Sequence, residues 1–434
     1  MMKVIFLAAV PAVLAAQQPS LEPARPISLQ QAIRLAQENS PTAVQARGQV
    51  SSANSERRVA VAGFAPSLSW SMSQSQQNGE RFGPQGTIVP YTAQPWSYNT
   101  GLSARLNLFD GGKRIAALRQ SSADITAAQA NQVAQDFNLA LQVKTQYYNI
   151  LAAEESEGAA MAQLQQAQEQ LKVSTEKLQA GAATRSDSLR SAIQVGNAQL
   201  ALLTARNNRR IASAALTRLA GTTYLVTADP SDTLDTRLTP VDSTMLAQLA
   251  MQGPAIRQAE AQVSSANMAE RSAKTQYLPS IDLSYSRSGS GFDKYFGIGG
   301  GKLAYSNNLG LSLSFPLFNN WSREDAILRA GISAENAEAN LRDARLAQQQ
   351  TLIQDLAALN TAQEQIRIQM QSVAAAEEDL RVQQQRYQAG ASVLLDVLTS
   401  QTTLNQSRLA LIQARLSYRT TKAQIEQLVG RDLN

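Results

Sequence analysis

Hydrophobic positions recur with two different periods along this chain. After Ser28, apolar residues fall on one helical face, as Leu29, Ala32, Ile33 and Ala36 do, and Ser28 is a suitable N-cap. In four later segments the period falls to two, and apolar side chains alternate with serine, asparagine and other polar residues. This alternation predicts four strands, each with one apolar and one polar face. The apolar positions are Leu68, Trp70, Tyr98, Leu102, Leu106, Ile281, Leu283, Tyr285, Leu309, Leu311, Leu313 and Phe315.

Very long helical patterns follow the second and the fourth strand. Residues 113–179 and 321–388 contain no proline, and each run would be about 100 Å long if unbroken. Both runs end in Gln-Ala-Gly-Ala, at Gly181 and at Gly390, and a second helical pattern follows, over about 186–220 and 392–429. A glycine between two helical runs reverses the chain, because it adopts the left-handed conformation at low cost. Apolar residues seven apart before each turn predict that each long helix packs against its own return helix.

The two halves of the chain repeat each other. The two turn glycines are 390 − 181 = 209 residues apart, and the same offset relates Asp187 to Asp396 and Leu189 to Leu398. A repeat at one stable offset indicates internal pseudo-symmetry. The predicted organisation is a signal peptide (1–16), an irregular segment (17–27), a first repeat (28–221), a connector (222–241) and a second repeat (242–434).

Composition excludes several classes of function. The 434 residues include no cysteine and no histidine, so disulfides, thiolate metal sites and histidine-based catalysis are not expected. The formal net charge is only +5, without a basic cluster interleaved with aromatics, so a nucleic-acid partner is not expected. We expect neither a cofactor nor an enzyme. Lys3, the apolar stretch 4–14 and Ala15-Ala16 predict secretion across the inner membrane.

The apolar faces of the four strands have two interpretations. They are either the covered side of a half-buried sheet in a soluble protein or a surface that contacts lipid. Four strands cannot close a transmembrane barrel, since such barrels have at least eight, and an open edge in lipid costs several kcal/mol per unpaired backbone group. The lipid interpretation therefore requires an oligomer, in which two copies give eight strands and three copies give twelve.

The chain resembles the TolC-like outer-membrane efflux protein family, the outer-membrane factors of tripartite efflux and type I secretion systems. The resemblance covers nearly all of the chain after the signal. It depends on the strand-to-helix junctions and the two turns, namely Leu106-Asn-Leu-Phe109-Asp-Gly-Gly112, Phe315-Pro-Leu-Phe318-Asn-Asn320, Leu178-Gln-Ala-Gly181 with Asp187-Ser-Leu189, and Tyr387-Gln-Ala-Gly390 with Asp396-Val-Leu398.

The resemblance implies a mainly α, internally duplicated fold with a β-barrel part. A long α-helical coiled-coil barrel would cross the periplasm, and the four strands would join a shared twelve-stranded barrel of a homotrimer in the outer membrane. It implies a periplasmic adaptor and an inner-membrane pump as partners. The implied function is an exit duct whose periplasmic tip opens like an iris.

The resemblance also implies roles for residues at the turns. Asp396 would form a ring of carboxylates, and Tyr387 would bond towards Asp187 on the neighbouring hairpin to keep the pore closed. The adaptor contacts would be Gly181, Ala182, Gly390, Ala391 and Ser392. On the residues alone, Asp396 also fits a solvated acid at a helix start, Tyr387 fits a heptad core position, and the glycines fit plain turns.

This chain departs from the family pattern at two positions beside the second turn. Ser392 stands where some members have an arginine that helps to keep the pore closed, and Thr399 stands where a second carboxylate of the ring can occur. Two other functions fit parts of the pattern: a non-gated porin, and a periplasmic coiled-coil structural protein without a pore.

Overall fold

The computed structural model describes residues 24–77, 79–82, 84–90, 95–234, 243–296 and 302–433. Helices and strands occupy most of these residues. The helices are α1 (Leu29–Asn39), α2 (Pro41–Ala62), α3 (Lys113–Gln179), α4 (Arg185–Ala220), α5 (Ser243–Ala250), α6 (Pro254–Lys274), α7 (Ser322–Gln388) and α8 (Leu394–Val429), with a 3-10 turn at Thr275–Tyr277. The strands are β1 (Arg25–Ile27), β2 (Ser67–Ser75), β3 (Glu80–Phe82), β4 (Ile88–Pro90), β5 (Trp96–Phe109), β6 (Val226–Ala228), β7 (Ser280–Asp293) and β8 (Ala304–Ser314).

The long helices begin and end within one residue of the predicted positions. Helix α3 covers the predicted range 113–179, and α7 begins one residue later than predicted, at Ser322. At the start of α1, Ser28 forms a capping box with Gln31, in which each side chain accepts from the other residue's backbone N–H. These boundaries are local features, because glycine, serine and aspartate at helix ends satisfy backbone groups that the helix itself leaves open.

The chain divides into two compact units. One consists of the described parts of Met1–Ser40, Leu139–Thr239 and Ala358–Ala423, and the other of Pro41–Asn138, Pro240–Ala357 and Gln424–Asn434. The first unit therefore contains both turns at Gly181 and Gly390, and the second contains the four long strands.

The first unit is held together around Tyr147, which is 1% exposed. Its hydroxyl accepts a hydrogen bond from the Asp229 backbone N–H at 3.0 Å and contacts the Asp232 carboxylate and the Ile27 carbonyl. Burial, first, and the hydrogen bond to Asp232 raise the pKa of Tyr147, so the phenol stays neutral and available as a donor. This side chain fastens the residues after β6 to the end of β1, and β1 and β6 pair in parallel.

In the second unit, four strands form one antiparallel sheet in the order β2-β5-β7-β8. The pairing of β5 with β7 joins the two repeats, so the duplication produces one sheet rather than two. The register shifts between Asn107 and Phe109, where β5 has one extra residue.

Some short strands were not predicted. Strand β1 lies in the segment predicted to be irregular, and β6 lies in the predicted connector. A small β3–β4 hairpin occupies part of the loop between β2 and β5. The predicted signal peptide and residues 235–242 lie outside the described residues. Within the part that is described, no helix is both long enough and apolar enough to cross a membrane.

Candidate functional site at the sheet faces and the helical turns

The predicted apolar strand positions come together on one face of the four-stranded sheet. Trp70 lies opposite Leu102, Leu106 opposite Leu283, and Tyr285 opposite Leu309. Directly paired residues of antiparallel strands share a face, so register places the apolar side chains in one continuous band. The exposed fraction is 70% for each of Leu68, Trp70, Leu309, Leu311 and Leu313. A contiguous apolar surface of this kind marks a contact with lipid or with another protein.

Two of the predicted positions differ from the rest. Tyr98 is only 6% exposed, because its ring is covered and its hydroxyl donates to the Tyr295 carbonyl. Phe315 lies one residue past the end of β8, so the prediction that it is a strand position is wrong, although its side chain is exposed. The sequence reasoning missed Arg287, whose guanidinium lies over the Tyr305 ring, 4.8 Å from the centroid, on the apolar face. This pair ends the band at one side.

The opposite face of the sheet is lined by hydroxyl groups. Serine side chains bond to one another across strands, at 2.6 Å for Ser69 and Ser103 and 2.8 Å for Ser288 and Ser306. Near the C-terminal end of β5, the Asn107 amide donates to the Asp282 carboxylate at 3.1 Å. The face therefore combines hydrophilicity with low net charge.

Each Gln-Ala-Gly-Ala segment forms the same tight turn. Gly181 has φ +71° and Gly390 has φ +76°, both left-handed. The Ala182 N–H donates to the Lys177 carbonyl at 2.8 Å, and the Ala391 N–H donates to the Arg386 carbonyl at 2.8 Å. This 6→1 bond, with the adjoining bond from the glycine N–H, is the Schellman ending of a helix. The predicted glycine turns are confirmed.

After the first turn, Asp187 acts as a helix cap. The Thr184 hydroxyl accepts from the Asp187 backbone N–H at 3.2 Å, and the Asp187 carboxylate accepts from the Thr184 N–H at 3.1 Å and from its hydroxyl at 2.7 Å. These bonds from the Thr184 hydroxyl and backbone lower the pKa of Asp187. Asp187 is therefore ionised at neutral pH and partly engaged within its own hairpin.

The second turn has a weaker version of this cap. Val393 stands where the first repeat has Thr184, so no hydroxyl is present, and the Val393 N–H lies 3.4 Å from the Asp396 carboxylate. Asp396 is exposed to solvent in the single chain. The helix-start role that the residues alone allowed for Asp396 is thus seen, and Asp187 has the same role in the first repeat. The cap leaves most of the Asp396 carboxylate exposed to solvent.

Tyr387 is both a core residue and a polar group without a partner. It is 7% exposed and packs in a cluster with Leu380 of its own helix and with Leu394 and Val397 of the return helix, as the heptad spacing predicted. Its hydroxyl is buried and has no hydrogen-bond partner in the described chain. Burial, first, and the negative charge of Asp187 raise the pKa of Tyr387. The two residues thus lie near each other, but no hydrogen bond joins them within one chain.

A lysine that the sequence reasoning missed also lies against Tyr387. The Lys177 ammonium is 4.1 Å from the centroid of the Tyr387 ring and donates to the Tyr387 carbonyl and, at 3.4 Å, to the Gln388 carbonyl. A signal was present in the sequence, because a basic residue stands four positions before the glycine in both repeats, Lys177 and Arg386.

The predicted adaptor contacts lie at the surface. Gly181, Ala182, Gly390 and Ala391 are exposed, and Ser392 is half-buried with its hydroxyl 3.5 Å from the Gln383 carbonyl. Among the described residues, no group of three or more His, Cys, Asp or Glu is placed to hold a metal ion.

Comparison with known proteins gives concordant matches. A family model described as "Outer membrane efflux protein" matches residues 32–222 and 245–431. The pyoverdine export outer membrane protein OpmQ of Pseudomonas aeruginosa is 26% identical over 332 residues, 74% of this chain and 67% of OpmQ. The outer membrane protein TolC of Escherichia coli is 24% identical over 347 residues, 76% of this chain and 69% of TolC. The crystal structure of the outer membrane protein VceC of Vibrio cholerae has a TM-score of 0.73 at 19% identity, covering 94% of this chain and 97% of VceC, and so shares its fold.

Proposed function

Because the chain belongs to the outer membrane efflux protein family, it is an exit duct in the outer membrane, and we propose that it works as a homotrimer with a gated periplasmic tip. The family consists of efflux channels rather than enzymes. The observation that carries the proposal is the sheet, which has one apolar face, one hydroxyl-lined face and two open edges, in a chain whose long helices end in duplicated turns.

The open edges support an oligomer. Within the described residues, β2 and β8 each pair with one neighbouring strand only, so each has an outer edge of backbone groups with which no strand pairs. In lipid each such group costs several kcal/mol, and pairing β2 of one copy with β8 of the next removes that cost. The sheet is antiparallel throughout, so this pairing would also be antiparallel. The family resemblance favours three copies and hence a twelve-stranded barrel.

The two faces of the sheet support its orientation. The apolar band would contact outer-membrane lipid, since side chains that are 70% exposed in the single chain would otherwise lie in water. The serine face would line the lumen.

The turns would form the gate. Three copies of Asp396 around a narrow pore would attract cations and repel one another. The buried Tyr387 hydroxyl, which has no hydrogen-bond partner in the described chain, would bond to Asp187 on the neighbouring hairpin in the closed state. Opening would separate the hairpins and break that bond.

Planar-bilayer recording of the purified protein tests this function. We expect a small, cation-selective conductance that rises in Tyr387→Phe and in Asp187→Asn, and a weaker cation preference in Asp396→Asn. Asp343→Asn, at an exposed position of α7, is the matched control and should behave as wild type. A large wild-type conductance that these changes leave unaltered would indicate a non-gated porin, and no conductance at all would indicate a structural coiled coil.

The partners would be a periplasmic adaptor protein and an inner-membrane pump, since the duct holds no energy source of its own. We propose that the adaptor contacts the exposed turns at Gly181, Ala182, Gly390, Ala391 and Ser392. A photoreactive residue at Ala182 or Ser392 should crosslink a periplasmic protein in cells, whereas the same residue at Glu338 should not. Equal crosslinking at Glu338 would contradict the docking proposal.

A further inference from the structure

Lys177 connects the two hairpins of one chain. Its backbone carbonyl closes the first turn by accepting from Ala182, while its side chain reaches α7, at the base of the second turn. There it donates to the carbonyls of Tyr387 and Gln388 and covers the Tyr387 ring. One residue thus belongs to both turns.

The chemistry of this contact is favourable. The last carbonyls of a helix carry the negative end of its dipole and lack helical donors, so a cation placed there stabilises that helix end. A cation over a tyrosine face adds a second attraction. Both attractions are lost when the two hairpins separate, because Lys177 is on α3 and its targets are on α7.

The duplication extends the contact beyond one chain. Position 177 + 209 = 386 is Arg386, and the targets of Lys177 correspond to Leu178 and Gln179. In the single chain, the Arg386 guanidinium donates to the Ala391 carbonyl of its own turn at 3.4 Å. It does not contact the carbonyls of Leu178 and Gln179 there. In a closed ring, the two kinds of hairpin would alternate around the pore. The second hairpin of one copy would then lie beside the first hairpin of the next copy, just as the two hairpins of one copy lie beside each other.

We infer that Lys177 and Arg386 are repeat-related positioning residues that hold the tip closed, Lys177 within a chain and Arg386 between chains. Arg386 donates to the carbonyls of Leu178 of the partner subunit and Gln179 of the partner subunit. The inference rests on the proposed function, because it requires a trimeric tip that opens. It places a cation among the residues that hold the tip closed, at a different position from residue 392, where some family members have an arginine and this chain has Ser392.

Conductance of charge-removing variants tests the role of each cation. Lys177→Gln and Arg386→Gln should each raise the open-state occupancy about tenfold, from the loss of a cation at a helix end. Lys177→Arg should restore closure, and Lys172→Gln, an exposed lysine on the same helix, should behave as wild type. The thermal midpoint should be the same in all four variants, since a merely structural role would lower it.

The outcomes separate this inference from the proposed function. If Tyr387→Phe opens the channel but Lys177→Gln does not, the lysine role is wrong and the gated duct stands. If none of these variants changes the conductance, the gate itself is wrong.

Engineered cysteines test the two kinds of contact directly, and the chain provides a clean background because it has no cysteine. With a short bifunctional maleimide, Lys177→Cys with Gln388→Cys should give a crosslinked monomer on denaturing gels. Arg386→Cys with Gln179→Cys should give dimers and trimers. The reverse pattern, or only monomers from the second pair, would overturn the assignment of Arg386 to the subunit boundary.

Discussion

Glycine-to-alanine substitution at Gly181 and Gly390 tests whether the left-handed backbone conformation stabilises the two turns. Both residues have left-handed backbone conformations, with φ of +71° and +76°, and in both cases a Cβ would have nothing within 4 Å. Alanine at either position would therefore introduce conformational strain without a steric clash. Helical glycines such as Gly196 also have nothing within 4 Å of a Cβ, so they provide the same substitution without the strain.

The turn substitutions and the helix substitution should change stability in opposite directions. A non-glycine residue in the left-handed region costs about 1–2 kcal/mol, so Gly181→Ala and Gly390→Ala should each destabilise their turn by that amount. Alanine is better than glycine inside a helix by about 1 kcal/mol, so Gly196→Ala should stabilise α4.

Trypsin cleavage at Arg185 is a suitable assay, because this exposed arginine is the first residue of α4, four positions after Gly181. When local opening is fast relative to cleavage, the cleavage rate follows the open population. A cost of 1–2 kcal/mol corresponds to about 5- to 30-fold faster cleavage in Gly181→Ala. Cleavage in Gly196→Ala should be unchanged or slower.

Two results would refute this reasoning. Cleavage of Gly181→Ala at the wild-type rate would show that the left-handed turn is not what keeps the first hairpin closed. Equal acceleration in Gly196→Ala would show that any methyl group on this hairpin has the effect, whatever the backbone conformation.

Three further predictions concern single side chains. Tyr147→Phe should lower the free energy of unfolding by about 2 kcal/mol, because the Asp229 N–H loses its buried acceptor; calorimetry showing no change would contradict this. Thr184→Ala should cost about 1 kcal/mol and Val393→Thr should gain a similar amount, since one removes a capping box and the other completes one; calorimetry measures both changes, and effects of the same sign would contradict this. Burial raises the pKa of Asp355 from its ordinary value of 3.8 to about 6. The folded state therefore binds more protons than the unfolded state between these values, and wild-type stability should rise as pH falls through that window. Asp355→Asn should then be more stable than wild type by about 1 kcal/mol near pH 8, after allowance for its partial exposure, and the difference should disappear near pH 4; a difference that does not vary with pH would contradict this.

Long elements could be predicted from the sequence because their signals are local and repeated. The range 113–179 is free of proline and is bounded by glycine on both sides, so both ends of α3 were predictable. The four long strands were predictable because alternation with period two persists for many residues in each of them.

Short and long-range features could not be predicted in this way. Strands β1 and β6 have three residues each, which is too few for a period, and they pair with each other across a long stretch of sequence. The covering of Tyr98 depends on residues almost two hundred positions away, such as Tyr295. The sequence shows a basic residue four positions before each turn glycine, but the contact of Lys177 with the carbonyls of another helix could not be predicted from that repeat.

On the proposal that the serine face of the sheet lines the lumen, the hydrogen bonds between its serine side chains have a consequence for a transported molecule. Hydroxyls that already bond to one another, as Ser69 does with Ser103 and Ser75 with Ser97, have little to gain from a passing solute. Such a surface is hydrophilic but binds solutes weakly. Cargoes of very different chemistry should therefore slide past at similar rates, so that the choice of what leaves the cell is made before the cargo arrives.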